Sequence, residues 1–142
     1  MMNMSDPLYR KELLRLAADA HGAGRLQAPD ATGEAFNPTC GDRVTVDLVL
    51  AENLITEFAH DTKACVLAQA SASILGRSFK GADRAAVEAL QEQIQGMLEE
   101  RLAPPRPPFD AYAVFAGAVE YKSRHLCILL PIEAVLNALA MV

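Results

Sequence analysis

The stretch from Val44 to His60 leaves the chain little choice of structure. Val44-Thr-Val-Asp-Leu-Val-Leu50 alternates in polarity and is rich in β-branched residues, and Leu54 to His60 follows after Glu52-Asn53. A period of two places one set of side chains on one face of a pleated strand, and β-branched residues suit that geometry. Two such runs so close in sequence read as an antiparallel hairpin. A weaker pattern at Gly33 to Asn37 is read as a third strand that completes a small sheet.

Helical periodicity surrounds this hairpin. Leu13, Leu14, Leu16 and Ala17, set among Arg10, Lys11, Glu12 and Arg15, predict a helix over Ser5–Ala20 that stops before Gly22 and Gly24. Ala68, Gln69, Ala70, Ala72, Ile74 and Leu75 predict a second helix beginning near Cys65, with small residues that permit close packing. Asp83 is a natural N-cap for a third, whose Val87, Leu90, Ile94, Met97 and Leu98 recur at helical spacing while Glu88, Glu92, Glu99 and Glu100 face water. Ala103-Pro-Pro-Arg-Pro-Pro108 cannot extend it, because proline has no N–H and a fixed φ, so a surface connector is expected. A last apolar helix is read from Lys122 to Met141, with Pro131 either in its first turn or kinking it.

The chain has 142 residues, enough for one domain with a core of its own, and we read 1–142 as a single unit. Half of it is apolar and 22% is charged, which excludes a disordered chain. A formal charge of -5 argues against a phosphate-backbone binder, so no nucleic acid is expected. Neither a signal-peptide core nor an apolar run near the roughly 20 residues of a membrane span is present, so we expect a cytoplasmic protein with no membrane partner.

Three cysteines in such a chain point to thiol chemistry or metal ligation rather than disulfides. Cys40 falls in a turn before a strand, Cys65 between strand and helix, and Cys127 near the start of the last helix. A thiol at a helix N-terminus gains thiolate character, the form that binds metal or attacks sulfur. Cys40-Gly41-Asp42 sets a soft sulfur and a hard carboxylate two residues apart, with Gly41 free to turn both inward. Three thiolates and a carboxylate suit tetrahedral zinc, or would hold iron–sulfur species less tightly than four thiolates. Buried cysteines are also ordinary small core residues, and an Asp can simply fix a turn, so spacing alone leaves both readings open.

Other residues carry less. His21, His60 and His125 are each conceivable ligands, but a lone histidine at a strand end or in a loop is more often a hydrogen-bonded structural group. Lys63 and Arg124 would favour thiolates nearby, or Arg124 would pair with Asp42. There is no Gly-rich phosphate loop and no nucleophile elbow, so nucleotide-dependent and hydrolase chemistry find no support.

Asn37-Pro-Thr-Cys-Gly-Asp-Arg43 resembles the hallmark loop of the IscU, SufU and NifU N-terminal family of iron–sulfur cluster assembly scaffolds. Cys65 with Ala70-Ser-Ala-Ser73 resembles the family's second cysteine and its following helix, and Arg124 with Cys127 resembles its third. The similarity runs from Leu8 to the C-terminus. Leu126 stands where IscU-type proteins place a histidine, and Glu120 to Arg124 holds no Leu-Pro-Pro-Val-Lys motif, so the chain looks closest to the SufU branch. Thr62-Lys-Ala64 replaces the family's Gly-x-Gly, and Ala17 to Gly22 replaces its N-terminal motif, as in a divergent member.

The resemblance implies an α+β fold, a three-stranded antiparallel sheet with helices packed on one side. It implies a scaffold or carrier rather than an enzyme, working with a cysteine desulfurase and apo iron–sulfur proteins as a monomer or weak homo-oligomer. Cys40, Cys65 and Cys127 would hold iron or a transient [2Fe–2S] cluster, and with Asp42 they would form the metal site. A SufU-like sulfurtransferase would instead hold a zinc ion there, with Cys40 as sulfur acceptor and Arg124 supporting the thiolate. A structural zinc protein without transfer activity is the remaining alternative.

Overall fold

The computed structural model describes residues 7–39 and 41–142. Strands β1 (Ala31–Asn37), β2 (Asp42–Ala51) and β3 (Leu54–Lys63) form an antiparallel meander in the order β1-β2-β3. Helices α1 (Pro7–Asp19), α2 (Val66–Ser78), α3 (Arg84–Glu100) and α4 (Lys122–Leu139) and a 3₁₀ helix (Asp110–Ala118) complete it. The hairpin turn is Glu52-Asn53, both with positive φ (52° and 68°), the two-residue geometry that matches strand twist. The beginning of the expected Ser5–Ala20 helix lies outside the described residues.

Register shows which residues the helices cover. Ala31, Gly33, Ala35 and Asn37 pair with Leu48, Val46, Val44 and Asp42, and those pair onward with Phe58, His60 and Thr62 for the first three. Paired residues share a face, so this set forms one side of the sheet. A register shift at Val49/Leu50 inserts Thr56 as an extra residue, which puts Ile55 and Phe58 on that same side although they are three apart. Helix α4 lies on β1 and β2, and α2 lies beside α4 against β3. Helix α1 packs on α2, and α3 packs on α4. The core includes Val44, Val46, Leu48, Ile74, Ile94, Phe115, Ile128 and Val135, all fully buried.

Strand β1 carries small residues inward because α4 leaves no room for larger ones. A Cβ on Gly33 would overlap the Ala134 carbonyl oxygen and the Ala138 amide nitrogen of α4, and would stand 2.8 Å from the Ala138 Cα. The weak β signal in this stretch follows from that contact, since neither Gly nor Ala is a strand former.

Part of the sheet's other face, around Asp47 and Ala59, is covered by the segment that follows α1. Gly22 O accepts from His60 N (2.9 Å) and Gly24 N donates to His60 O (2.8 Å), so the segment first runs along the free edge of β3. It then crosses to β1 over Asp47, which is fully buried in β2. Arg25 donates to Asp47 Oδ2 (Nε, 2.6 Å) and Oδ1 (Nη2, 3.1 Å), Leu26 N donates to Oδ2 (3.1 Å), and Thr32 Oγ1 to Oδ1 (2.7 Å). These donors, Arg25 foremost, hold the Asp47 carboxyl below its usual range. His60 donates from Nε2 to His21 O (3.0 Å) when Nδ1 accepts from Thr62 Oγ1 (2.8 Å). Burial pushes its protonation below the ordinary value of 6.5.

Two readings of the chain change. The 3₁₀ helix was not expected; its buried Tyr112, Phe115 and Ala118 repeat every three residues, the period of that helix. Pro131 is well inside α4 rather than in its first turn, and α4 ends at Leu139, not Met141. Among the described residues, no helix is long and apolar enough to cross a membrane.

Two outcomes are expected. Gly33→Ala should lower stability by about 1–3 kcal/mol, because the new methyl must push α4 off the sheet; urea unfolding measures it. Because folded His60 resists protonation while the unfolded residue does not, unfolding takes up a proton as pH falls below 6.5. Stability should therefore decline from pH 7 to pH 5, and a His60→Gln variant should lose that part of the slope in paired urea titrations.

Candidate metal centre

The end of the sheet where β1 turns into β2 meets the N-terminal parts of α2 and α4. Asn37 shapes this turn: its Oδ1 accepts from Thr39 N (3.1 Å) and its backbone carbonyl from Gly41 N (2.8 Å). Gly41 has φ of 74°, a conformation that costs glycine little, and Asp42 follows as the first residue of β2, on the helix-covered face. Cys65 is the N-cap of α2, half-buried, and its side chain makes no capping hydrogen bond. Cys127 is buried in the second turn of α4.

Of the four residues expected to bind metal, three come together. One carboxylate oxygen of Asp42 and the sulfurs of Cys65 and Cys127 lie within 4.8 Å of one another. The fourth, Cys40, lies outside the described residues. Arg124 is on the exposed side of α4 and forms no ion pair with Asp42 among the described residues. Arg43 also turns away, toward Glu34 (3.7 Å) and over the Phe36 ring (5.1 Å to its centroid). Lys63 is exposed at the end of β3.

Asp42 is buried, with 7% of its surface exposed, and its Oδ2 has no hydrogen-bond partner, the one such buried side-chain atom among the described residues. Burying a carboxylate without a donor or a cation is costly. The same residues offer two soft sulfurs beside it, and sulfurs bound to one tetrahedral zinc stand about 3.8 Å apart, given Zn–S near 2.3 Å. The donor set and the unpartnered oxygen both fit a bound cation.

The histidines serve the fold instead. His125 directs Nε2 at the carbonyls of Ala118 (3.2 Å) and Val119 (3.0 Å), closing the end of the 3₁₀ helix. His60 of β3 directs Nε2 at the carbonyl of His21 in the crossing segment.

A model of the NifU-like N terminal domain matches residues 8–128. The chain belongs to the NifU-like N-terminal domain family. Over 97% of its length it superposes on the crystal structure of a nitrogen-fixing NifU-like protein (N-terminal) from Brucella abortus, with a TM-score of 0.90, 34% identity and 96% of that chain covered. It is 28% identical over 78 residues to a zinc-dependent sulfurtransferase SufU of Bacillus subtilis, a match spanning 55% of this chain and about half (52%) of that relative. It is 24% identical over 119 residues to an iron–sulfur cluster assembly scaffold protein IscU of Streptococcus pyogenes, covering 84% of this chain and 74% of that one. Family relatives thus carry both SufU and IscU names, and the three-stranded α+β fold is the one expected.

If Asp42 is held in place for a cation rather than for the fold, its removal should not weaken the metal-free protein. Asp42→Ala is expected to leave the stability of chelator-treated protein unchanged or raise it by about 1 kcal/mol, as removal of a buried polar atom that has no partner does. Urea midpoints of the two apo proteins make the comparison.

Proposed function

We propose that this protein is a cytoplasmic iron–sulfur cluster assembly scaffold, with Cys40, Cys65, Cys127 and Asp42 as the ligands of its cargo. The observation that carries the reading is the meeting of Asp42, unpartnered at Oδ2, with Cys65 and Cys127 within 4.8 Å, in a domain of the NifU-like family. Cys40 joins them by connectivity: consecutive Cα atoms stand about 3.8 Å apart, so a residue two before Asp42 is within reach of the same centre.

Each residue has a distinct task. The sulfurs of Cys65 and Cys127 come from two helices held by the core, which gives the cargo a fixed seat. Asp42 supplies an oxygen donor, a poor match for soft iron–sulfur cargo, so one side of the seat is weakly held and open to exchange. Cys40 precedes Gly41 in the sequence and is the residue we assign as sulfur acceptor. Its thiolate would attack the outer sulfur of a persulfide carried by a cysteine desulfurase. A new S–S bond forms, the donor's S–S bond breaks, and the electron pair leaves on the donor's cysteine thiolate. Apo iron–sulfur proteins would then take the cargo by substituting their own thiolates.

A second reading is favoured by the donor set itself. Three thiolates and one carboxylate are a zinc set, and the Bacillus subtilis relative is named a zinc-dependent sulfurtransferase. In that case the same four residues would hold zinc, which would keep the thiols ionised, and Cys40 would be the ligand that leaves to accept sulfur.

Iron, acid-labile sulfide and zinc per chain after anaerobic reconstitution, measured beside Cys40→Ala, separate the two. The scaffold reading expects iron and sulfide in equal amounts, sharply reduced in the variant. Tightly held zinc with no cluster uptake would replace it with the sulfurtransferase reading, and neither metal in stoichiometric amount would sink both.

A further inference from the structure

The cysteines at the candidate centre sit on separate helices, and one buried polar cluster ties those helices together. Ser71 of α2 and Tyr112 of the 3₁₀ helix are both fully buried. Ser71 Oγ donates to the Ile128 carbonyl of α4 at 2.7 Å. The Tyr112 hydroxyl donates to the Ser71 carbonyl at 3.1 Å and lies 2.8 Å from Ser71 Oγ. Two hydroxyl protons thus serve oxygens on α2 and α4, and the clasp joins three elements at one point.

Its position along the helices is what matters. Ile128 is the residue after Cys127, and Ser71 lies six residues into the helix from the N-cap Cys65, about 9 Å along its axis. Pro131 has no N–H to give to the Cys127 carbonyl four residues before it, whereas the Ile128 carbonyl keeps the Ile132 N–H as its helical donor, so the bond from Ser71 is additional to the helix's own. Neither carbonyl lacks a helical context, and alanine at position 71 would fill nearly the same volume without a polar group to bury. Nothing about packing calls for a hydroxyl here, whereas aligning two helices does.

We propose that Ser71, with Tyr112, is a positioning residue for the metal centre: the clasp sets α4 against α2 so that the sulfurs of Cys65 and Cys127 face one ion. This rests on the metal-site reading above. A binding constellation tolerates displacements of only about 0.5 Å, so a slide of α4 too small to unfold the protein is enough to misplace a sulfur.

Cobalt(II) titration of the chelator-treated full chain under anaerobic conditions tests it, because thiolate-to-cobalt charge transfer reports sulfur ligation directly. Ser71→Ala is expected to weaken Co²⁺ binding about tenfold or more, the usual effect of removing a group that supports metal ligands. Tyr112→Phe should weaken it in the same direction. Asp47→Asn, which loosens the fold from the far face of the sheet, should lower the melting temperature and leave the Co²⁺ affinity of the folded protein unchanged. If Ser71→Ala lowers the melting temperature but binds Co²⁺ like the wild type, the clasp is structural only and the proposal is overturned. Should Ser71→Ala not fold, Tyr112→Phe decides in the same way. A wild-type chain whose charge-transfer band is absent, or survives Cys65→Ser and Cys127→Ser intact, would instead overturn the metal-site reading beneath it.

Discussion

The close seating of α4 on β1 governs the rest of the structure. Gly33, flanked on its face by Ala31 and Ala35, lets the backbone of α4 come down onto the strand at Ala134 and Ala138. With its C-terminal half fixed there, α4 reaches past the sheet's end with its N-terminal half, and Cys127 arrives beside the start of β2. A larger residue on β1 would lift the helix and carry that cysteine away from Asp42. The order of cause is from small side chains to helix height, and from helix height to the spacing of ligand atoms.

The candidate centre is also where the fold departs from its own rules. Elsewhere the buried polar groups are satisfied: Asp47 has four donor contacts, His60 and His125 reach backbone carbonyls, and Ser71 and Ser73 each hold a neighbouring segment. Asp42 alone among the described residues keeps a buried oxygen without a partner. Among the described residues this problem is solved at every other buried side chain, and the one exception is what supports a bound cation at that point.

The sequence was informative where local pattern and tertiary role coincide. The hairpin was readable because β-branched residues alternate on both strands, and α3 because its apolar residues recur on one face above an Asp cap. Strand β1 was faint because its inward residues were chosen to be small for α4, not to be good strand formers. The 3₁₀ helix escaped because its repeat of three among Tyr112, Phe115 and Ala118 fits neither a helix of 3.6 nor a strand of two. For the centre, residue chemistry nominated Asp42, Cys65 and Cys127, but their separations in the chain carry no metal spacing; only the fold brings them together. The Asp47 cluster and the Ser71 clasp had no legible signal, since a buried Asp in a strand and a serine in a helix look like ordinary surface residues until their partners are known.

A three-stranded sheet has two open edges, each a template for another chain's backbone. Here both are partly spent on the protein's own groups. The segment after α1 takes the amide and carbonyl of His60 on the β3 side. On the β1 side, Asn137 of α4 reaches down with Nδ2 to the Glu34 carbonyl at 2.8 Å. A neighbouring copy seeking to extend the sheet would first have to displace these contacts, so the arrangement works against edge-to-edge aggregation. The sheet can stay small without becoming a seed for fibres.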